Sequence, residues 1–344
     1  MTSYAFWNNK GGVGKSYLCF IASSEYAHRN KDVDVYVIDL CPQANVSEIL
    51  LGGYQTSPNA MHELIGRASR ATVAGYIEAR LSSPFRQIDS VEPYVSHPVT
   101  VNKNVPDNLY LVCGDNLLEI LAEAIRQTSQ LAIPTDSWKK VTEWIKDLTV
   151  ALAARSGNRP AVFMFDCNPS FAIYTQLGLA AARNIVVPFT ADDSSRRAIE
   201  NVVALTYGIG DDKVSAYSRI SFSRRAKEEG VDLPLLHTFV SNRVTKYEGK
   251  PSKAFLAVAN TIEATVSRIY RQHRSIFANP RSKPENAFIT VPDYHGACIV
   301  SAMLGIPLHK MTAGPKQVAG ERVQVNPVPL KTYLAALEDF VDAL

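Results

Sequence analysis

Apolar and polar positions along the chain repeat in a fixed order. Residues 4–7 (Tyr-Ala-Phe-Trp) are apolar, Asn9 to Ser16 is glycine-rich, and Leu18, Ile21, Ala22 and Tyr26 follow at intervals of three to four. That interval marks one face of a helix, and Asn30 is its stop signal. Residues 33–38 are β-rich and end at Asp39. Strand, glycine loop, helix, strand is the opening of a parallel α/β sheet. The theme returns at 108–113, at 161–165 closed by Asp166, and at 184–188 with a helix over 194–207. It returns again at 235–240 and at 288–291, closed by Pro292-Asp293. A run apolar on both faces, such as 161–165, suits a central strand of a parallel sheet. Residues 331–344 predict a closing amphipathic helix. Two stretches interrupt the order. Residues 52–106 are rich in Ser, Pro and Thr, with helical patches at 61–66 and 73–81, and residues 211–234 are polar and basic. The pattern predicts an α/β fold, a doubly wound, mostly parallel sheet flanked by helices. It forms one domain over 1–344 with insertions at about 52–106 and 211–234.

Composition narrows this only in part. The 344 residues are 46% hydrophobic, enough for a large core and against whole-chain disorder. No window approaches 18 consecutive apolar residues, and the N-terminus lacks the basic and apolar regions of a secretory signal. Five cysteines, at 19, 41, 113, 167 and 298, form no C-x-x-C pair. This argues against a disulfide framework or a zinc site and for a reducing cytoplasm. The net charge of +3 hides an asymmetry: residues 213–283 carry 14 basic residues against 5 acidic ones. Such a segment suits a polyanionic partner or, more simply, a solvated basic helix face.

The strongest chemical signal is Lys10-Gly11-Gly12-Val13-Gly14-Lys15-Ser16. Glycines let backbone N–H groups converge on phosphate oxygens, and the helix that follows directs its positive end at the same anion. Lys15 would reach the terminal phosphates and Ser16 a Mg²⁺ ion, with Tyr17 completing the nucleotide-binding stretch. The usual first glycine of such a loop is Asn9 here, and a second lysine stands at position 10. This loop resembles the deviant Walker A loop of the ParA/MinD group of P-loop ATPases. The resemblance implies ATP and Mg²⁺ as cofactors and a homodimer bridged by ATP, in which Lys10 crosses the interface to the other subunit's nucleotide.

Two further motifs are similar to that group. Asp39-Leu-Cys41-Pro-Gln-Ala-Asn45 resembles its D-x-D-P-Q-x-N switch I, with Asp39 expected at the metal and in catalysis. Cys41 replaces the second aspartate, which predicts slow hydrolysis, since a neutral thiol is a poor substitute for a carboxylate. Asp166-Cys-Asn168-Pro-Ser170 resembles D-x-P-P-S, which makes Asp166 a metal residue. By order along the chain, Asn242, Pro292 and Asp293 fall where the group holds the base.

For use of the nucleotide, the resemblance implies a partition ATPase. It would bind double-stranded DNA non-specifically, answer to a centromere-binding or cargo adaptor protein, and be cytoplasmic and nucleoid-associated. Arg219, Arg224, Arg225 and Lys227 form one candidate DNA-binding cluster, and Arg268, Arg271 and Arg274 share a helix face. The alternative is a regulatory relative, serving secretion, polysaccharide synthesis or polar positioning, that does not bind DNA. A membrane-positioned relative would need a basic amphipathic end, whereas residues 335–344 are acidic, so no membrane partner is expected. Metal-handling relatives need paired cysteines. The loop starts by residue 10, so the chain resembles the short kind of partition ATPase, without a preceding DNA-reading domain. The 52–106 insertion is expected at a partner or dimer surface.

Overall fold

The computed structural model describes residues 1–210, 213, 221–244, 246–247, 250–251 and 253–344. Its strands are β1 (Thr2–Phe6), β2 (Asp34–Leu40), β3 (Leu109–Val112), β4 (Ala161–Cys167), β5 (Asn184–Phe189) and β6 (Leu235–Val244). The short pair β7 (Lys246–Tyr247) and β8 (Lys250–Pro251) comes next, then β9 (Phe288–Pro292), β10 (Gly314–Val318) and β11 (Glu321–Val325). Seven of them form one sheet in the order β3-β2-β4-β1-β5-β6-β9. All its neighbouring pairs are parallel, so helices must carry the chain back between strands. In the first half these are α1 (Lys15–Arg29), α2 (Asn45–Leu50), α3 (Gly53–Gly66), α4 (Val73–Ser82), α5 (Leu117–Ser129), α6 (Ser137–Thr142) and α7 (Trp144–Arg155). The second half adds α8 (Ile173–Ala181), α9 (Asp193–Tyr207), α10 (Phe222–Glu229), α11 (Lys253–Gln272), α12 (His295–Leu304) and α13 (Pro327–Asp342).

Residues of β4 alternate between two cores. Phe163 and Phe165 pack on one face of the sheet, Val162 and Met164 on the other. This is why 161–165 reads as a continuous apolar run. The first face is covered partly by α5 and α7, through Leu118, Ile125, Leu148 and Leu152. The simple strand-and-loop pattern passed over this 117–155 region. The second face is covered partly by α1 and by α13, whose Tyr333, Leu337 and Phe340 are buried. The closing helix starts at Pro327, four residues before the apolar spacing indicates, because proline is tolerated in a first helical turn. With its apolar face already in the core, α13 has none to offer a lipid surface. Among the described residues no helix is long and apolar enough to cross a membrane.

The 52–106 insertion folds as α3, α4 and two short 3₁₀ turns before β3. A tight knot joins it to α12. The buried Asn102 amide donates to the carbonyls of Leu50, at 3.0 Å, and of Gly305, at 2.8 Å. Gly305 has φ +60°, and a Cβ there would lie 2.5 Å from Ile49 O and 2.6 Å from Gly52 Cα. The knot fixes α2, which follows the 39–45 motif. Gly305→Ala meets both a left-handed backbone and this close approach, so a loss of about 2–4 kcal/mol is expected in urea unfolding.

Candidate functional site

The glycine loop leaves β1 and enters α1 with its surroundings clamped. Asn8 donates to Pro188 O at 2.7 Å, and Asn9 to Pro169 O at 3.1 Å. Gly14 is the N-cap of α1, with φ +87°; no side chain caps this end and no acid lies in its first turn. The first N–H groups of the helix therefore keep their partial positive charge toward the loop. A Cβ on Gly14 would sit 2.2 Å from the Asn242 amide nitrogen, which donates to Val13 O at 2.9 Å. A Cβ on Gly11 or Gly12 would meet nothing within 4 Å. These two glycines open onto a cavity of about 550 Å³ that also receives Ser16, Tyr17, Cys41, Asn168 and Arg243.

Besides Arg243, three buried charged groups lie on or beside this cavity. Lys15 is 7% exposed and donates to Lys10 O at 2.8 Å. Burial lowers its pKa, and the nearby Asp166 works against that shift. Asp39 and Asp166 are register partners on β2 and β4 and both are fully buried. Asp39 is satisfied: one oxygen accepts Cys41 N–H at 3.0 Å, and the other accepts Ser47 N–H at 3.2 Å and Ser47 Oγ–H at 2.7 Å. It therefore pins the 41–47 turn. Neither Asp166 oxygen has a hydrogen-bond partner. Burial, reinforced by the Asp39 charge, pushes its pKa well up, while the Ser16 hydroxyl and Lys15 oppose this. An unpartnered buried carboxylate beside a serine at a helix start is the donor set of a hydrated divalent cation, so Ser16 and Asp166 fit Mg²⁺. Asp39 fits it less directly, because its lone pairs are already engaged.

The remaining sequence candidates divide. Within one chain Lys10 is held on α9, not on its own loop. Its ammonium forms an ion pair with Asp192 and bonds Thr190 and Ser195, each at 3.2 Å. Cys41 is 6% exposed, and burial with the two aspartates pushes its thiol up to about 12. Asn242, Pro292 and Asp293 do not line the cavity. Asn242 braces the loop, Pro292 is paired with Val244, and Asp293 accepts the His295 N–H at 2.9 Å. Arg243, which the sequence did not single out, lines the cavity beside the glycine loop.

Of the basic candidates, Arg219 lies outside the described residues. Arg224 pairs with Glu228 at 2.6 Å, Arg225 with Glu229 at 3.1 Å, and Arg268 with Glu200 of α9 at 2.8 Å. Arg271 bonds Ser267 O, and Arg274 stacks over Tyr270. The Tyr270 hydroxyl donates to Ser282 O at 2.6 Å, which draws the exposed Arg281 and Lys283 to the same end of α11.

No protein-family model and no curated protein matches the chain. Solved structures do resemble it. McdA from Cyanothece in its apo form has 12% identity and a TM-score of 0.60, covering 100% of this chain and 99% of that one. A McdA variant in complex with ATP has 11% identity and a TM-score of 0.58, covering 100% and 96%. A plasmid partition protein from Borrelia burgdorferi has 14% identity and a TM-score of 0.52, covering 100% and 99%.

The fold is that of the ParA-like P-loop ATPases.

The carboxylate pair has a measurable signature. Its folded pKa values lie above the ordinary 3.8, with Asp39 pushed up to about 6 by burial. The native state therefore holds protons that the unfolded chain has lost. The pair's contribution to stability is complete below about pH 4 and is lost as pH rises through the folded values. Asp166→Asn removes the unpartnered charge. In thermal unfolding of the ligand-free protein between pH 5 and 8, it is expected to raise Tm at pH 7.5 by about 3–8 °C and to flatten the pH dependence.

Proposed function

We propose that the chain is an ATP-dependent, dimerising ATPase of the partition type, which binds DNA without reading its sequence and answers to an adaptor protein. One observation carries the reading. Two glycines without steric neighbours open onto a cavity lined by a buried lysine and Ser16, with the unpartnered buried Asp166 beside both. The likeness of fold to a protein solved with ATP supports it.

Bound Mg²⁺-ATP supplies the phosphoanhydride bond and a cation that neutralises charge on the departing phosphates. The loop N–H groups and the N-terminus of α1 would bind the phosphates, and Lys15 would exchange the Lys10 carbonyl for a phosphate oxygen. Ser16 and Asp166 would hold the cation, while Asp39 holds the 41–47 turn through its three hydrogen bonds. Lys10 acts from the mate across the dimer, so it must leave Asp192 when the subunits close. Cys41 remains a protonated thiol at neutral pH and accepts no proton from water, so turnover is slow and the ATP-bound state long-lived.

Cys41→Asp is expected to raise the steady-state phosphate-release rate at least severalfold. It should also lower the stability of the ligand-free protein, because it adds a third carboxylate beside Asp39 and Asp166. An unchanged rate removes the role given to position 41.

DNA is assigned to the C-terminal end of α11. Arg271, Arg274, Arg281 and Lys283 gather there without a carboxylate partner among the described residues. The exposed pairs of Arg224, Arg225 and Arg268 are weak enough to yield to phosphates. The same pairing favours a second reading, a regulatory ATPase that leaves DNA alone, since those arginines are already neutralised. Co-sedimentation with DNA under ATP, ADP and no nucleotide, at two salt concentrations, separates the two. Partition predicts ATP-dependent binding that falls steeply with salt and is lost in Arg271→Glu/Arg274→Glu while ATP binding persists. Binding that is absent or indifferent to nucleotide selects the regulator.

A further inference from the structure

We propose that a second cavity, at the edge of the sheet opposite the glycine loop, binds a small organic acid: His237 and Lys283 take the carboxylate, and Leu236 and Phe277 the apolar body. This cavity, of about 220 Å³, lies at the start of β6. Arg243, on the other cavity, is six residues further along that strand, about 20 Å away. The inference is therefore independent of what the glycine loop binds. The volume equals that of about seven waters in the liquid, room for a ring-sized acid and too little for a nucleotide.

The sheet gives up its regular register to make this site. Ile185 of β5 pairs with Leu236 and Val186 pairs with Thr238, so His237 is an extra residue with no partner on β5. A bulge of this kind re-aims a side chain, and bulges are enriched beside functional sites. The His237 ring is held on two sides. Tyr4, 3% exposed, meets it edge-on with centroids 5.4 Å apart, and Thr238 Oγ1 lies 2.7 Å from Nδ1. With the Thr238 O–H donated to Nδ1, the ring proton sits on Nε2. Nε2 has no protein partner among the described residues. Burial lowers the ring's pKa, so at neutral pH it is an uncharged donor.

The facing segment is fixed as well. Phe277 bridges Leu236, whose carbonyl accepts the Ala278 N–H at 2.9 Å, and the Tyr270 hydroxyl donates to Ser282 O. That segment supplies Asn279 and the exposed Lys283. No acidic side chain lines the cavity. A cation finds no counter-charge there, whereas a carboxylate finds an ammonium, an amide and the imidazole N–H. The buried Leu236 and Phe277 favour an acid with an apolar body over a bare inorganic anion.

The test is a titration of histidine-labelled protein with benzoate, benzamide and inorganic phosphate, read by NMR at the imidazole nitrogens and by calorimetry. Benzoate is expected to shift the His237 signal saturably, with a dissociation constant of about 1 mM or tighter. Benzamide keeps the ring without the charge and phosphate the charge without the ring, so each should bind at least about tenfold more weakly. His237→Phe should weaken benzoate about tenfold and Lys283→Gln about threefold. Phenylalanine keeps a ring against Tyr4, and the urea midpoint checks that the variant folds. Lys283→Gln alters an exposed side chain and carries the test by itself if His237→Phe unfolds. Absence of a saturable shift at His237 overturns the proposal. So does benzamide or phosphate binding as tightly as benzoate, or undiminished benzoate affinity in a folded variant.

Discussion

Two carboxylates side by side in a dry interior constrain everything around them. Asp39 and Asp166 are partners across β2 and β4, both without solvent. Like charges so placed repel unless something compensates. The chain answers differently for each. Asp39 receives three hydrogen bonds from the turn that follows it, so its charge becomes the anchor of that turn. Asp166 receives none and lies between the Asp39 charge and the opposing Lys15 and Ser16. The asymmetry turns a repulsive pair into a brace and an unpartnered acid.

A second dependence runs through Asn242. Its amide joins the end of β6 to the loop that follows β1, and Gly14 has no side chain because that amide lies where a Cβ would be. β5 separates those strands in the sheet. The shape of the phosphate loop is thus set partly by a residue more than two hundred positions away. Lys10 shows a parallel arrangement on the other flank, where Asp192 caps α9 and holds the lysine at once.

The strands, the glycine loop and the aspartates at strand ends were legible because each depends on local order: a run of apolar residues, a spacing, a terminal acid. What Asn242, Pro292 and Asp293 contact was not: Asn242 donates to Val13 O, Pro292 is a register partner of Val244, and Asp293 accepts the His295 N–H. The basic patch misleads for a similar reason. Arg268 shares a helix face with Arg271, but Glu200 meets it from α9, and no count of charges along 213–283 includes that glutamate. Helices α5 to α7 escaped notice because their apolar spacing carries no strand or loop landmark.

By itself the sequence determined which segments alternate, where backbone must turn without a side chain, and that a thiol stands two positions after the strand-end acid Asp39. Those are properties of neighbours along a chain, where spacing and side-chain size decide the outcome. Tertiary structure alone decided which buried acid is satisfied and which is left facing the loop, which arginines are neutralised, and that Arg243 looks into the cavity. Burial and pairing depend on what arrives from distant strands and helices, and free energies of that kind are absent from any local window.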